Sequence, residues 1–188
     1  NPHGMYATQN SLAPRRSRAG GLAGAFVQRR ATCGAHSLDE AVAGLGVPGW
    51  SDGASVNIVD LHGRRMANVE VWEDIHSTLK VTAGMGNYSH FNQYKHLRTA
   101  QGWPIDDPRS FRRDLRQARI DSLQPVRSDR DVEMGLSDEY IFSRRSTVIS
   151  LVLNGTAGTL KVWCCGVPPA SQGPVYTWNI TSFFTPQF

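Results

Sequence analysis

Three strand-like runs in close succession place the strongest constraint on how this chain can fold. Residues 54–60, 66–72 and 75–81 are rich in β-branched, aromatic and other apolar residues, and short polar turns separate them. The first turn, over residues 61–64, contains a glycine. Runs joined this closely predict an antiparallel meander.

The rest of the chain adds further helices and strands. Ser37 is placed to cap a helix with Glu40 three residues on, and Asp107-Pro108 is a typical helix start. The predicted helices span about 19–30, 37–45 and 108–123, the further strands span about 5–9, 146–153, 159–165 and 175–180, and 127–140 is predicted to be a loop. Grouped strands and grouped helices favour an α+β fold with antiparallel sheets over alternating βαβ units.

Length and composition fit a single domain, residues 1–188. Hydrophobic residues make up 40% of the chain and charged residues 19%, which excludes a disordered polymer. The longest apolar run, 148–153, is far shorter than the ~18 residues that a membrane helix needs. Arginines over 109–130 alternate with aspartates, which is typical of a solvated helix face. We therefore expect neither a membrane nor a nucleic-acid partner.

Cysteine and histidine spacing argues against a disulfide framework and against a metal site. Cys33, Cys164 and Cys165 form no CxxC motif, and the last two are too close in sequence for an unstrained bridge. All three are predicted to be small buried hydrophobes. The six histidines show no HExxH or other metal-ligand spacing, so no metal is expected.

One loop concentrates polar and aromatic groups. Residues 86–94 read Gly-Asn-Tyr-Ser-His-Phe-Asn-Gln-Tyr. Donors, acceptors and rings at this density suit a binding pocket. A surface turn with buried rings is the alternative, and the residues alone leave both interpretations open.

The order of these pieces resembles one known family. Residues 4–12 resemble its "G-V/L-A-x-x-x-N" strand, 37–42 its "S/T-x-x-E/Q-A" helix, and 54–70 its "A-x-N-x-x-x-x-D-x-x-G-x-x-x-x-x-E" strand pair. Residues 87–91 fall where the family has "H-T-N-H-F", and 147–168 resemble its closing "T-x-x-x-x-x-D … G-T-L-x-V-x-x-G-x-P". The ordered series is similar to the acyl-coenzyme A:6-aminopenicillanate acyltransferase-like group of cysteine N-terminal-nucleophile (Ntn) hydrolases.

That resemblance implies an αββα sandwich of antiparallel sheets and linear-amide hydrolase or acyltransferase chemistry. In such enzymes a precursor cuts itself before a cysteine, whose freed α-amino group acts as base for the thiol, which then forms a thioester. The implied substrate is a small-molecule amide or an acyl-coenzyme A, and no cofactor is implied.

The nucleophile is the largest departure from the family. The family cysteine precedes the Asn10 strand, together with the first strands of the sheet, and none of these is found before Asn1. We therefore expect an incomplete sandwich, the C-terminal part of a β-subunit, which needs its missing N-terminal portion or a partner subunit and is inactive alone. The alternative is a non-catalytic relative with the Ntn fold, used as a binding or interaction domain.

Two catalytic positions outside the loop carry over by resemblance. Asn10 matches the asparagine near the acyl-enzyme pocket. Arg144 matches the family arginine before the final sheet, with Arg145 as the alternative one residue on. A fixed arginine of this kind helps to keep the nucleophile charged.

The loop supplies the remaining candidates. Ser89 stands where the family has its oxyanion asparagine, and Asn87 could provide the amide only if the loop shifts in register. Tyr88, His90 and Phe91 are expected to bind substrate.

Overall fold

The structure is a computed structural model that describes residues 1–100, 102, 108–123, 125–141 and 147–181. The chain divides into two compact units, Asn1–Asp114 and Leu115–Phe188. In the described residues it has an α+β fold with four α-helices and two antiparallel sheets, which confirms the predicted class. This agreement covers the α+β class and does not extend to the αββα sandwich.

The first unit contains a four-stranded sheet and two helices. The strands are β1 (Met5–Leu12), β2 (Gly53–Asp60), β3 (Arg65–Trp72) and β4 (Ile75–Val81), and the helices are α1 (Gly24–Cys33) and α2 (Leu38–Leu45). The strands pair in the order β1-β2-β3-β4, with every neighbouring pair antiparallel, so the predicted meander is confirmed.

Alternation along β2 and β3 gives the first sheet two different faces. Val56, Ile58, Val69 and Val71 are fully buried in a core that also takes in Leu45 of α2. Neighbouring residues of a strand point to opposite faces of the sheet. The residues that alternate with Val56, Ile58, Val69 and Val71 therefore lie on the other face. That second face is polar, and it carries the site described below.

The second unit contains helical residues and a three-stranded sheet. Helix α3 (Pro108–Ser122) begins in the first unit, and α4 (Asp129–Ser137), β5 (Ile149–Asn154), β6 (Thr159–Cys164) and β7 (Tyr176–Asn179) follow. The sheet order is β5-β6-β7. Val152 and Trp163 are buried, whereas large apolar side chains of the opposite face are exposed: Ile149, Leu151, Tyr176 and Trp178.

The helix boundaries depart from the predictions at two places. Helix α1 begins at Gly24 rather than near 19, because Leu22 forms a bridge with Trp50 and exchanges backbone hydrogen bonds with Gly49 and Ser51. The predicted loop over 127–140 was wrong: α4 forms there, with a complete capping box between Ser128 and Asp131.

Three further predictions differ from the structure: the end of β1, the end of β6 and the burial of the cysteines. Strand β1 continues to Leu12 because its whole length pairs with β2. Strand β6 ends at Cys164, since Cys165 has a left-handed backbone with φ of 63°. The expectation of buried cysteines was also wrong, because Cys33 and Cys165 are exposed and Cys164 is half-buried.

In the described part of the chain, no helix combines the length and apolar character needed to cross a bilayer.

Candidate functional site

A row of polar side chains crosses the first sheet on the face opposite the helices. Asn10 on β1, Ser55 on β2, Glu70 on β3 and Ser77 on β4 are successive cross-strand partners. Directly opposed residues of antiparallel strands share a face, so these four side chains lie side by side. Ser55 and Glu70 are fully buried beneath the segment that follows β4.

Glu70 is the centre of this row. Its Oε1 accepts hydrogen bonds from the Lys95 backbone N–H at 2.5 Å and from His90 Nε2 at 2.7 Å. Its Oε2 accepts from the backbone N–H groups of His96 at 2.9 Å and Leu97 at 2.6 Å. A buried charge is tolerated only when it is paired and hydrogen-bonded, and four donors meet that requirement here.

These donors determine the ionisation of Glu70. Burial raises the pKa of Glu70, but the hydrogen bonds from His90 and from three backbone amides outweigh burial, and the pKa lies below its usual value. Glu70 is therefore a carboxylate at neutral pH and holds the 95–97 backbone to the sheet.

His90 is clamped between two acceptors. Its Nε2 contacts the Glu70 carboxylate, its Nδ1 lies 2.6 Å from the Phe91 carbonyl oxygen, and its side chain is completely buried. Each ring nitrogen therefore lies within hydrogen-bonding distance of one oxygen acceptor, and these two contacts hold the imidazole in place between the sheet and the loop.

The hydrogen bonds of His96 define the tautomer of its imidazole ring. The Asn68 amide nitrogen donates to Ser55 Oγ at 2.7 Å and to Asn57 Oδ1 at 2.8 Å, so Asn68 Oδ1 is the acceptor for His96 Nε2 at 2.7 Å. His96 Nδ1 then accepts from the Ser77 hydroxyl at 2.8 Å. Burial lowers the pKa of His96 despite the nearby Glu70 charge. His96 is thus a neutral Nε2–H tautomer.

Asn10 fastens the 87–91 loop to the edge of the sheet. Its amide Nδ2 donates to the carbonyl oxygens of His90 at 2.8 Å and Phe91 at 3.3 Å. Asn92 Nδ2 donates to the Ser11 carbonyl oxygen at 2.8 Å, which adds a second tie to β1. The structure therefore brings together two of the predicted site elements, Asn10 and the loop.

The other loop residues differ in exposure. Asn87 is exposed, whereas Tyr88 and Ser89 are half-buried, and the Ser89 carbonyl oxygen accepts from Lys95 Nζ at 3.0 Å. Lys95 Nζ also lies 5.0 Å from the centre of the Tyr88 ring, within the range of a cation–π contact.

Tyr88 has a further unusual feature. Its hydroxyl oxygen is buried and has no hydrogen-bond partner in the described structure. Burial and the Glu70 charge raise the pKa of Tyr88, so the hydroxyl keeps its proton. A buried hydroxyl without a hydrogen-bond partner in this loop could donate to a bound molecule. Arg144 and its alternative Arg145 lie outside the described residues.

The sequence reasoning missed the residues that hold the site together. Glu70 entered only as part of a family pattern, and Asn68, Lys95 and His96 were not singled out. A signal was present: Asn68 and Glu70 alternate with Ala67, Val69 and Val71 inside a strand that reads as buried on one face. Polar residues two apart in such a strand indicate a polar surface with its own partners.

The arrangement encloses its central acid and base, Glu70 and His90. Glu70 and His90 have no exposed side-chain surface, so their contribution is to fix the loop. A cavity of about 480 Å³ in this unit lies between α1 and α2, lined by residues such as Phe26 and Val47, on the other side of the sheet. Within the described ranges, no group of three or more His, Cys, Asp or Glu side chains is arranged to hold a metal ion.

Comparison with protein family models, with curated proteins and with solved structures finds no match to this chain.

Proposed function

We propose that this chain is part of a cysteine-dependent linear-amide hydrolase or acyltransferase with an Ntn-type αββα sandwich. The observation that carries the proposal is the hydrogen bond from Asn10 Nδ2 to the His90 carbonyl oxygen, which joins two motifs 80 residues apart in sequence. The family resemblance requires these two motifs to meet at one site. If the sequence resemblance had arisen by chance, the two motifs would have no reason to be in contact.

The exposed face of the second sheet supports the sandwich. Leu151, Tyr176 and Trp178 stand on one face of β5-β6-β7, each between 45% and 56% exposed. A sheet stabilises its fold by packing an apolar face against another layer. In the proposed architecture this face belongs to the interior of the sandwich.

In the proposed reaction, a cysteine thiolate attacks the carbonyl carbon of an amide. The sulfur–carbon bond forms, the amine leaves with a proton, and the resulting thioester is attacked by water or by a second amine. Ser89 or Asn87 would donate to the oxyanion, and Arg144 would stabilise the thiolate. Glu70 and His90 serve as positioning residues, because they fix the loop that carries Ser89 and Asn87.

A non-catalytic binding domain is the second candidate, and one observation favours it. Glu70 and His90 are wholly enclosed, and a serine, Ser89, replaces the amide donor of the family loop. In this alternative, the loop that carries Tyr88 would bind a small molecule without turning it over.

The two candidates are separated with the product of the full open reading frame that contains this chain. The protein is incubated with an acyl-coenzyme A thioester and with an activated phenylacetyl ester, and its intact mass is measured. The enzyme proposal predicts one acyl group on a cysteine at a processed N-terminus. Asn10→Leu is expected to reduce the acylation rate at least tenfold, because the His90 and Phe91 carbonyl oxygens lose their hydrogen bonds to β1.

Gln9→Leu is the matched control, since it makes the same kind of change on the opposite face of β1 and should leave acylation within twofold of the wild type. An unprocessed protein that takes up no acyl group with either donor would overturn the enzyme proposal. Saturable binding of the same compounds by that protein would establish the binding domain.

A further inference from the structure

The end of β6 makes an unusual turn. Cys164 is the last strand residue, and the next two residues, Cys165 and Gly166, have φ values of 63° and 72°. The Val167 N–H donates to the Cys164 carbonyl oxygen at 3.4 Å and closes the turn. Two positive φ values in succession favour Asn, Asp or Gly, so the cysteine occupies a strained position.

This turn brings two sulfur atoms together. Neighbouring residues of a regular strand point to opposite faces, which would separate the two thiols. The left-handed backbone at Cys165 ends that alternation, and the two Sγ atoms lie 3.4 Å apart, within the range of a hydrogen bond between thiols. Cys165 is exposed and Cys164 is half-buried, so a small reagent can reach the pair.

We propose that Cys164 and Cys165 are a redox-active vicinal dithiol that closes reversibly to a disulfide by exchange with low-molecular-weight disulfides. The Cys165 thiolate attacks one sulfur of the small disulfide, and one small thiol leaves. The Cys164 sulfur then attacks Cys165 Sγ in the mixed disulfide, and the second small thiol leaves. The dithiol loses two electrons and two protons, and the small disulfide gains both.

The order of the steps follows from the environments of the two thiols. The contact with Cys165, together with burial and the charge of Cys165, raises the pKa of Cys164. Cys164 therefore keeps its proton longer and acts second, as the resolving thiol. Cys165 is the more exposed thiol and meets the reagent first.

Reversibility follows from covalent geometry. Adjacent Cα atoms are ~3.8 Å apart. Disulfides usually join Cα atoms ~4.4–6.8 Å apart, so the closed ring is strained. Strained and exposed disulfides are more easily reduced than structural ones. The pair is therefore expected to respond to the ratio of small thiol to small disulfide.

The test uses the full chain with Cys33→Ser, which removes the third cysteine. The protein is equilibrated with mixtures of reduced and oxidised glutathione, quenched with acid, alkylated and weighed intact. The expected result is a monomer that has lost two hydrogens and takes up no alkyl group. Its oxidised fraction should rise smoothly with the proportion of oxidised glutathione.

Cys164→Ser in the same background is the matched control. It retains Cys165 but has no resolving thiol, so the glutathione adduct should persist at least tenfold longer. A persistent adduct in the protein that keeps both cysteines would overturn the proposal. So would disulfide-linked dimers as the main product. Far-ultraviolet circular dichroism of both variants excludes misfolding as the cause of either result.

Discussion

Replacing Glu70 with glutamine tests the central feature of the site. The substitution preserves the shape of the side chain but removes its charge, and it replaces one acceptor oxygen with an NH₂ donor. Each carboxylate oxygen accepts from two groups: Lys95 N and His90 Nε2 on Oε1, and His96 N and Leu97 N on Oε2. Whichever position the NH₂ group takes, it faces donors.

The cost follows from that count. Each carboxylate oxygen accepts from at least one backbone N–H, so the NH₂ group leaves at least one of these buried donors without a partner. A buried donor without a partner costs about 1–3 kcal/mol, and the two remaining hydrogen bonds lose the extra strength that a charged acceptor gives. Together these effects give an expected loss of about 3–5 kcal/mol.

Hydrogen exchange measured by mass spectrometry locates this effect. A loss of about 3 kcal/mol or more corresponds to at least ~100-fold faster exchange of the 95–97 amides where exchange follows the opening equilibrium. Glu73→Gln is the control, because that carboxylate pairs with the exposed Arg16 guanidinium at 2.8 Å and, among the described residues, accepts from no buried backbone amide. The role given to Glu70 would be refuted if the 95–97 amides of the Glu70→Gln protein exchanged at rates within threefold of those in the Glu73→Gln control.

Three further predictions concern the same network. Unfolding free energy should fall as the pH drops below ~6.5 and fall further below ~4.3, because the pKa values of His96 and Glu70 are both depressed in the folded state and the unfolded chain binds the protons first. Nitrogen-15 NMR at neutral pH should show a proton on Nε2 of His96 and a lone pair on its Nδ1. Gly53→Ala should cost about 1–3 kcal/mol, because the added methyl group meets the buried Tyr94 hydroxyl, which donates to the Val71 carbonyl oxygen at 3.1 Å.

Each of these has a control. His96→Gln keeps both hydrogen-bonding functions without a titrating group, so it should flatten the decline between pH 6.5 and 5; an unchanged pH profile would contradict the assignment. A nitrogen shift typical of a protonated Nδ1 on His96 would contradict the tautomer assigned to that ring. Gly84→Ala meets nothing within 4 Å and has an ordinary φ, so it should be close to neutral.

Local features of the fold could be read from the sequence. Ser37 accepts a hydrogen bond from the Glu40 N–H, as its position predicted, and the 54–81 meander has the expected strands. The polar composition of 127–140 predicted a loop, and the capping-box spacing of Ser128 and Asp131, which marks the start of helix α4, was missed. These features depend on neighbours a few residues apart, which is why sequence is informative about them.

The sequence by itself determined the α+β class, the meander and the concentration of polar groups in residues 86–94. It did not determine the ionisation of Glu70, the burial of His90 or the meeting of Cys164 and Cys165. Those depend on backbone amides of 95–97 that arrive from a distant segment and on one left-handed residue after β6. Charge states and side-chain encounters are set by the sum of nearby donors and by burial, and only the folded chain brings those groups within hydrogen-bonding distance.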